Sequence, residues 1–246
     1  MTIPKTERPY QIKKPIDHLN TIDAINVMVN EHKKAALEIK KNAVSIEIAV
    51  NLIYDHLILN KKGRLIYVGA GTSGRIGVQD GVELFPTFNW PKERLDLIIA
   101  GGNQAILNAV ENAEDDIISA SETVKKRKIN SHDVVIGLAA SGDTPFTCKV
   151  LEESKNKNAL TIAISNNPKG KLLKFGKVQI VLDTKEEVIA GSTRLKAGTA
   201  QKICLNIISS MIMIKMGRVK NGFMNYMFPT NEKLRKRKVM IQSKLL

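Results

Sequence analysis

The stretch Leu65-Ile66-Tyr67-Val68-Gly69-Ala70-Gly71-Thr72-Ser73-Gly74 decides the fold. A short apolar run leads directly into glycines and hydroxyls. A strand with one wet face would alternate apolar and polar residues, so an unbroken run predicts a strand buried on both faces. The segment that follows has helical character over residues 75–84. A buried strand, a glycine-rich loop and a helix make the opening of a parallel α/β unit.

The same order recurs downstream. Residues 95–100 form a second apolar run, ended by Gly101-Gly102, and a helix is expected over 104–120. Residues 134–139 form a third strand, ending in Ala140-Ser141-Gly142-Asp143-Thr144-Pro145, with a helix over 146–155. Strands are expected at 160–165 and 178–182, and a long helix at 197–216 after Ala190-Gly191-Ser192-Thr193. Strands alternating with helices predict an α/β fold with a doubly wound five-stranded parallel sheet, flavodoxin-like in type. Upstream, residues 1–15 are polar, carry Pro4, Pro9 and Pro15, and read as an extended arm. Residues 16–60 are helical, with three-to-four spacing in Ile22, Ile25 and Val29 and in Ile46, Val50, Ile53 and Leu57. The expected organisation is an N-terminal arm and helices at 1–60, packing on the core or on a partner subunit. A ligand-binding domain follows at 61–218, and a basic C-terminal tail at 219–246.

Composition narrows the function classes. Of 246 residues, 43% are hydrophobic and 25% charged, the balance of an ordinary globular protein. The apolar run 203–216 is interrupted by Asn206, Ser209 and Ser210, which argues against a membrane span. Residues 1–9 lack the apolar core of a signal peptide, and two cysteines in so long a chain give no disulfide framework. A cytoplasmic protein is expected. The net charge of +14 is spread over the chain, without the interleaved aromatics of a single-strand nucleic-acid binder. A solvated lysine-rich surface accounts for it better than a nucleic-acid or membrane partner does.

Two loops at the same edge of the sheet share one chemistry. Gly69–Gly74 and residues 140–144 each offer glycines, hydroxyls and the free amides of a following helix, the features of an anion site. Thr72, Ser73, Ser141 and Thr144 are the candidate contacts. The first loop lacks the lysine of a Walker motif. Its Gly69-x-Gly71-x-x-Gly74 spacing matches a dinucleotide fingerprint, but Gly101-Gly102 stands where an acidic ribose ligand belongs.

With these loops in place the chain resembles a known family. Gly-Ala-Gly-Thr-Ser-Gly-Arg (69–75), Ala-Gly-Gly (100–102), Ala-Val-Glu-Asn-Ala-Glu-Asp (109–115) and Ala-Ala-Ser-Gly-x-Thr-Pro (139–145) come first. Gly-Ser-Thr-Arg-Leu-Lys-Ala-Gly-Thr-Ala-Gln-Lys (191–202) and Thr-Asn-Glu-Lys-Leu (230–234) complete the set. In this order they are similar to the N-acetylmuramic acid 6-phosphate etherases, whose core is a sugar isomerase (SIS) domain. The resemblance implies a lyase. It removes D-lactate from the C3 ether of N-acetylmuramic acid 6-phosphate by elimination and water addition, with no metal or organic cofactor. It also implies a homodimer and places the acid/base carboxyls at Glu83 and Glu114. Ser192 and Lys196 are further expected sugar contacts. Glu111, three residues before Glu114, is expected on the same helix face, tuning Glu114 or touching the sugar. Val82, Leu84 and Phe85 suggest an apolar setting for Glu83, which would raise its pKa and suit an acid. The related alternatives are a non-catalytic sugar-phosphate regulator, similar to glucokinase regulatory proteins, and a sugar-phosphate isomerase.

The chain departs from the family at Asp143, where an arginine is usual, at Leu84-Phe85, and at Lys185-Glu186-Glu187. A carboxylate at 143 repels a phosphate unless it points away.

Overall fold

The computed structural model describes residues 4–11, 14–227, 229 and 232–245. Residues 230 and 231 of the block at 230–234 thus lie outside the described residues.

Two helices, α1 (Thr21–Lys41) and α2 (Ala43–Leu59), precede the sheet and meet at a bend of 60°. Asn20 caps α1 by accepting the Asp23 amide at 3.0 Å. The sheet strands are β1 (Leu65–Gly69), β2 (Leu95–Ile99), β3 (Val134–Ala139), β4 (Leu160–Ser165) and β5 (Val178–Val181). All pair in parallel, in the order β2-β1-β3-β4-β5. Helix α3 (Gly71–Val82) and the short α4 (Leu84–Phe88) connect β1 to β2. This is the expected flavodoxin-like arrangement. Its strand order reverses between β1 and β3, the place where open α/β sheets receive ligands.

Side chains alternate across the sheet. Leu65 and Tyr67 of β1 face one core with Ile136, Ile162 and Ile180, while Ile66 and Val68 face another with Val135 and Ala163. The second core is closed by α6 (Ile117–Lys126) and α7 (Pro145–Asn156). The first is closed by α1, α2 and α8 (Lys196–Lys215). Helix α8 is long and apolar enough to cross a membrane, but Ala197, Ala200, Cys204, Leu205, Ile208 and Ile212 are wholly buried, with α1, α2 and α3 packed around it. After α8 come a small hairpin, Val219–Lys220 with Phe223–Met224, and a basic helix, Glu232–Leu245.

The helix expected over 104–120 is not continuous. It resolves into a single turn α5 (Gln104–Leu107), a 3-10 turn at Ala113–Asp115, and α6. Asn108 is extended, Asn112 takes a left-handed conformation (φ 58°), and Asp116 caps α6 through the Ser119 amide at 2.8 Å. Short amide and carboxyl side chains that compete for backbone bonds break the helix there. Glu111 and Glu114 therefore do not share a helix face.

Candidate active site

The two hydroxyl-bearing loops converge. Helix α3 starts immediately after β1, with Ala70 as its cap. Helix α7 starts immediately after the β3 loop, with Thr144 as cap and Pro145 at its first position. Neither cap side chain bonds to its helix's first amides, so those N–H groups stay available to a ligand. Two such ends side by side supply donors and positive dipole ends to an anion.

Close packing holds the loops. A Cβ on Gly74 would lie 2.7 Å from Ile99 Cγ1 and 2.9 Å from the Gly69 carbonyl oxygen, so only glycine lets α3 lie this close to the strands. Gly142 sits at φ +76°, and a Cβ there would lie 2.5 Å from Gly170 Cα. Glycine meets both demands. The Ser141 carbonyl accepts from Asn167 Nδ2 at 3.0 Å. Ser141 Oγ accepts the Asp143 amide at 3.2 Å, which leaves its own proton free to donate.

Between the loops lies an open cavity of about 490 Å³. Thr72, Ser73, Ser141, Thr144, Thr193 and Glu114 line it, with Glu7, Asp115 and Asp143. Among the described residues no lysine or arginine lines this cavity, so its donors for an anion are backbone amides and hydroxyls. Asp143 Oδ1 accepts the Lys171 amide at 2.9 Å, which turns the carboxylate toward the neighbouring 3-10 turn. Cys148, half-buried on α7, has its thiol pushed up to about 11 by burial and by Asp143, so it is a poor nucleophile.

A second cavity of about 230 Å³ adjoins the first through Ala70, Gly71 and Glu114. Glu111, Asn112 and Arg75 line it. Arg75 Nε donates to the carbonyls of Ala105 and Ile106 (3.0 and 3.1 Å), and Nη2 to that of Asn108 (2.9 Å). One guanidinium thus holds the segment that carries Glu111 and Glu114.

The structure brings Thr72, Ser73, Ser141, Thr144 and Glu114 into one cavity and Glu111 to its annex. Ser192 lies in the segment beside Gly191 and Thr193, which line the cavity, but is not itself part of the lining. Two expected residues lie elsewhere. Glu83 follows α3 at its far end, exposed to solvent, with Val82 half-exposed beside it. The apolar setting expected for it is absent within the chain. Lys196 is buried, and its Nζ donates to Glu31 Oε2 at 2.6 Å and to the Glu186 carbonyl at 2.8 Å. It anchors α8 to α1 and compensates the charge of the buried Glu31 instead of lining the cavity.

That pair belongs to a network. Glu31 also accepts from Tyr10 (2.7 Å) and from Lys34. Burial alone would raise the Glu31 pKa, but bonds from Lys196, Lys34 and Tyr10 outweigh it and bring the carboxyl down to about 2. Burial and Glu31 push the Tyr10 hydroxyl up to about 12. Glu187 caps α8 by accepting the amides of Lys196 (3.1 Å) and Ala197 (2.7 Å), and burial raises its pKa against those bonds. The histidines lie outside the cavity. His32 reaches Thr199 Oγ1 at 3.0 Å, and His132 reaches Asn60 Oδ1 at 2.7 Å beside the start of β3.

Sequence reasoning missed Glu7, which comes from the polar arm; no periodicity there announced contact with residues beyond 180.

Comparison with known proteins agrees with this architecture. The family model of the glucokinase regulatory protein N-terminal SIS domain matches residues 33–155, and that of the SIS domain matches 115–211. Among solved structures, a phosphoheptose isomerase from Francisella tularensis superposes with a TM-score of 0.59 at 18% identity, over 80% of this chain and 100% of that one. A phosphoheptose isomerase from Neisseria gonorrhoeae gives 0.57 at 14% identity, over 78% and 98%. These distant matches show the fold. Closer relatives show the family. The N-acetylmuramic acid 6-phosphate etherase of Psychromonas ingrahamii is 43% identical over 96% of this chain and 78% of its own length. That of Clostridium acetobutylicum is 44% identical over 92% and 74%, and that of Mycoplasma mycoides is 40% identical over 98% and 79%. With this identity along nearly its whole length, on a five-stranded SIS sheet, the chain belongs to the N-acetylmuramic acid 6-phosphate etherase family.

Proposed function

We propose that this protein is a carbon–oxygen lyase that cleaves the D-lactyl ether of N-acetylmuramic acid 6-phosphate, giving N-acetylglucosamine 6-phosphate and D-lactate. The observation that carries this reading is the meeting, in one cavity, of two uncapped helix N-termini, five hydroxyl side chains and the Glu114 carboxylate. The amide-and-hydroxyl end suits the phosphate, held by Thr72, Ser73, Ser141 and Thr144. The sugar then extends toward Glu114, with Glu111 and Ser192 as outer contacts.

Ring opening to the aldehyde makes the C2 proton acidic. Glu114 takes it as base. The C3–O bond breaks, and the departing ether oxygen needs a proton, since an alkoxide is a poor leaving group. A second carboxyl supplies it. Water then adds to C3 of the unsaturated aldehyde and C2 regains a proton, so one water is consumed per lactate released.

Glu83 is our choice for that second carboxyl. Within one chain it lies about 18 Å from Gly71, at 1.5 Å rise for each residue of α3. It also faces solvent. We therefore assign it to the site of a second copy, in a homodimer whose two sites each take Glu114 from one chain and Glu83 from the other. The free thiols of Cys148 and Cys204 suit a reducing compartment, and we place the enzyme in cytoplasmic amino-sugar catabolism and cell-wall recycling.

The test is to incubate purified protein with N-acetylmuramic acid 6-phosphate and assay lactate. Lactate is expected from the parent, and at least about a hundredfold less from Glu114→Gln, the loss typical of removing an acid/base group. A parent that binds the sugar phosphate without releasing lactate is a regulator, and one that forms a ketose is an isomerase; either result overturns the proposal.

A further inference from the structure

A carboxylate from the far end of the chain reaches the same cavity. Lys5–Glu7 form one 3-10 turn that is fixed at several points. Lys5 Nζ pairs with Asp183 Oδ2 at 2.8 Å. Thr6 is completely buried, and its carbonyl accepts the Gly191 amide at 3.0 Å. Farther along the arm, Tyr10 is held by Glu31. Between these anchors Glu7 lines the cavity with Thr72, Ser73 and Glu114. It lies so close to Gly191, at φ +75°, that a Cβ there would fall 2.7 Å from Glu7 Oε2.

The Glu7 side chain makes no hydrogen bond or ion pair among the described residues, although its neighbours on the arm do. A carboxylate only accepts hydrogen bonds. Glu7 is exposed to solvent at the rim of a cavity without a lysine or arginine, so water satisfies its carboxylate in the free chain and the donors of a bound ligand would replace that water. A phosphate offers it no attraction, because both are anions. Sugar hydroxyls and an acetamido N–H are donors and do. The cavity is thus polarised chemically, with helix amides and hydroxyls for the anion and Glu7, Glu114 and Asp115 for the donors of the carbon chain.

We infer that Glu7 is a substrate-binding residue: its carboxylate accepts hydrogen bonds from the sugar portion of the bound sugar phosphate, and the N-terminal arm is the strap that holds it there. This rests on the sugar-phosphate reading of the cavity and adds a specificity contact from outside the SIS domain.

The test is calorimetric titration of the full chain with N-acetylglucosamine 6-phosphate and, separately, with inorganic phosphate. Glu7→Gln is expected to weaken the sugar phosphate about tenfold, the scale of one charge-assisted hydrogen bond. Inorganic phosphate should bind the variant equally or more tightly, because a like charge has gone. Lys5→Met, which frees the strap without touching the cavity, should weaken the sugar phosphate in the same direction. Equal weakening of both ligands by Glu7→Gln marks a structural role and overturns the inference, as does sugar-phosphate affinity within about twofold of the parent. If Glu7→Gln leaves sugar-phosphate binding intact while the parent still releases lactate, only this inference falls. A parent that binds neither ligand sinks the functional reading as well.

Discussion

At Asp143 the loop that lines the proposed anion site carries a negative charge, and the backbone redirects it: the carboxylate accepts the Lys171 amide at 2.9 Å. Lys196 shows the reverse case, a cation close to the cavity loops in sequence whose charge is used elsewhere. Its side chain is 3% exposed and meets Glu31, whose side chain is 5% exposed, so Lys196 is the buried cation among the partners of Glu31. Lys196→Met is expected to cost about 3 kcal/mol in denaturant unfolding, since it leaves Glu31 with weaker partners in a buried setting. The pH dependence follows from the carboxyl that this pair lowers. The Glu31 pKa is about 2 in the folded chain, below an ordinary glutamate near 4.3 in the unfolded one. A lowered pKa adds stability that is complete above about pH 5 and is lost as pH falls toward 2. Thermal melts of Glu31→Gln should therefore show a flatter decline across that window than the parent; a decline of the same steepness removes Glu31 from the account. None of this was legible in the sequence, because Glu31 and Lys196 are 165 residues apart. The hydroxyls of Thr72, Ser73, Ser141 and Thr144 were legible, because each lies directly after an unmistakable buried strand.

Among the elements, the segment from β2 to α6 is where the sequence misleads. Its apolar and acidic residues suggest one long helix, but Asn108, Asn112 and Asp116 divide it into a turn, a 3-10 turn and a short helix. With so little regular structure, the segment depends on Arg75, whose guanidinium donates to three of its carbonyls from the neighbouring helix. Arg75→Gln should speed amide hydrogen exchange over residues 105–114 and lower kcat/KM about tenfold, with the rest of the sheet unchanged. Unaltered exchange in that segment would show that Arg75 does not hold it. The five strands, α7 and α8 were read to within a residue or two, whereas α3 starts at Gly71, four residues before the expected 75, and α1 at Thr21, five after the expected 16. A run buried on both faces and a three-to-four apolar repeat are set by local sequence, whereas loop conformations are set by bonds to distant residues.

For the molecule as a whole, the exposed position of Glu83 at the far end of α3 makes the proposed catalytic role depend on a second chain. In the proposed homodimer, a chain lacking Glu83 and a chain lacking Glu114 combine to give one intact site and one doubly deficient site. Mixing inactive Glu83→Gln and Glu114→Gln proteins in equal amounts, with time for subunits to exchange, should restore roughly a quarter of parental lactate release, because half of the dimers are mixed and each of those has one working site of two. No recovery after confirmed exchange would place both carboxyls in one chain or remove Glu83 from the chemistry. The sequence indicated the two carboxyls but not their separation, which depends on the length of α3 and its direction away from the loops.

The bond between the Gly191 amide and the Thr6 carbonyl joins points far apart along the chain. During synthesis the arm waits for more than 180 residues before its docking surface exists. The β1 and β3 loops can form on the ribosome while the arm is still unattached, so a nascent chain gains its ligand cavity late, only after residue 191 and the α8 cap have cleared the exit tunnel.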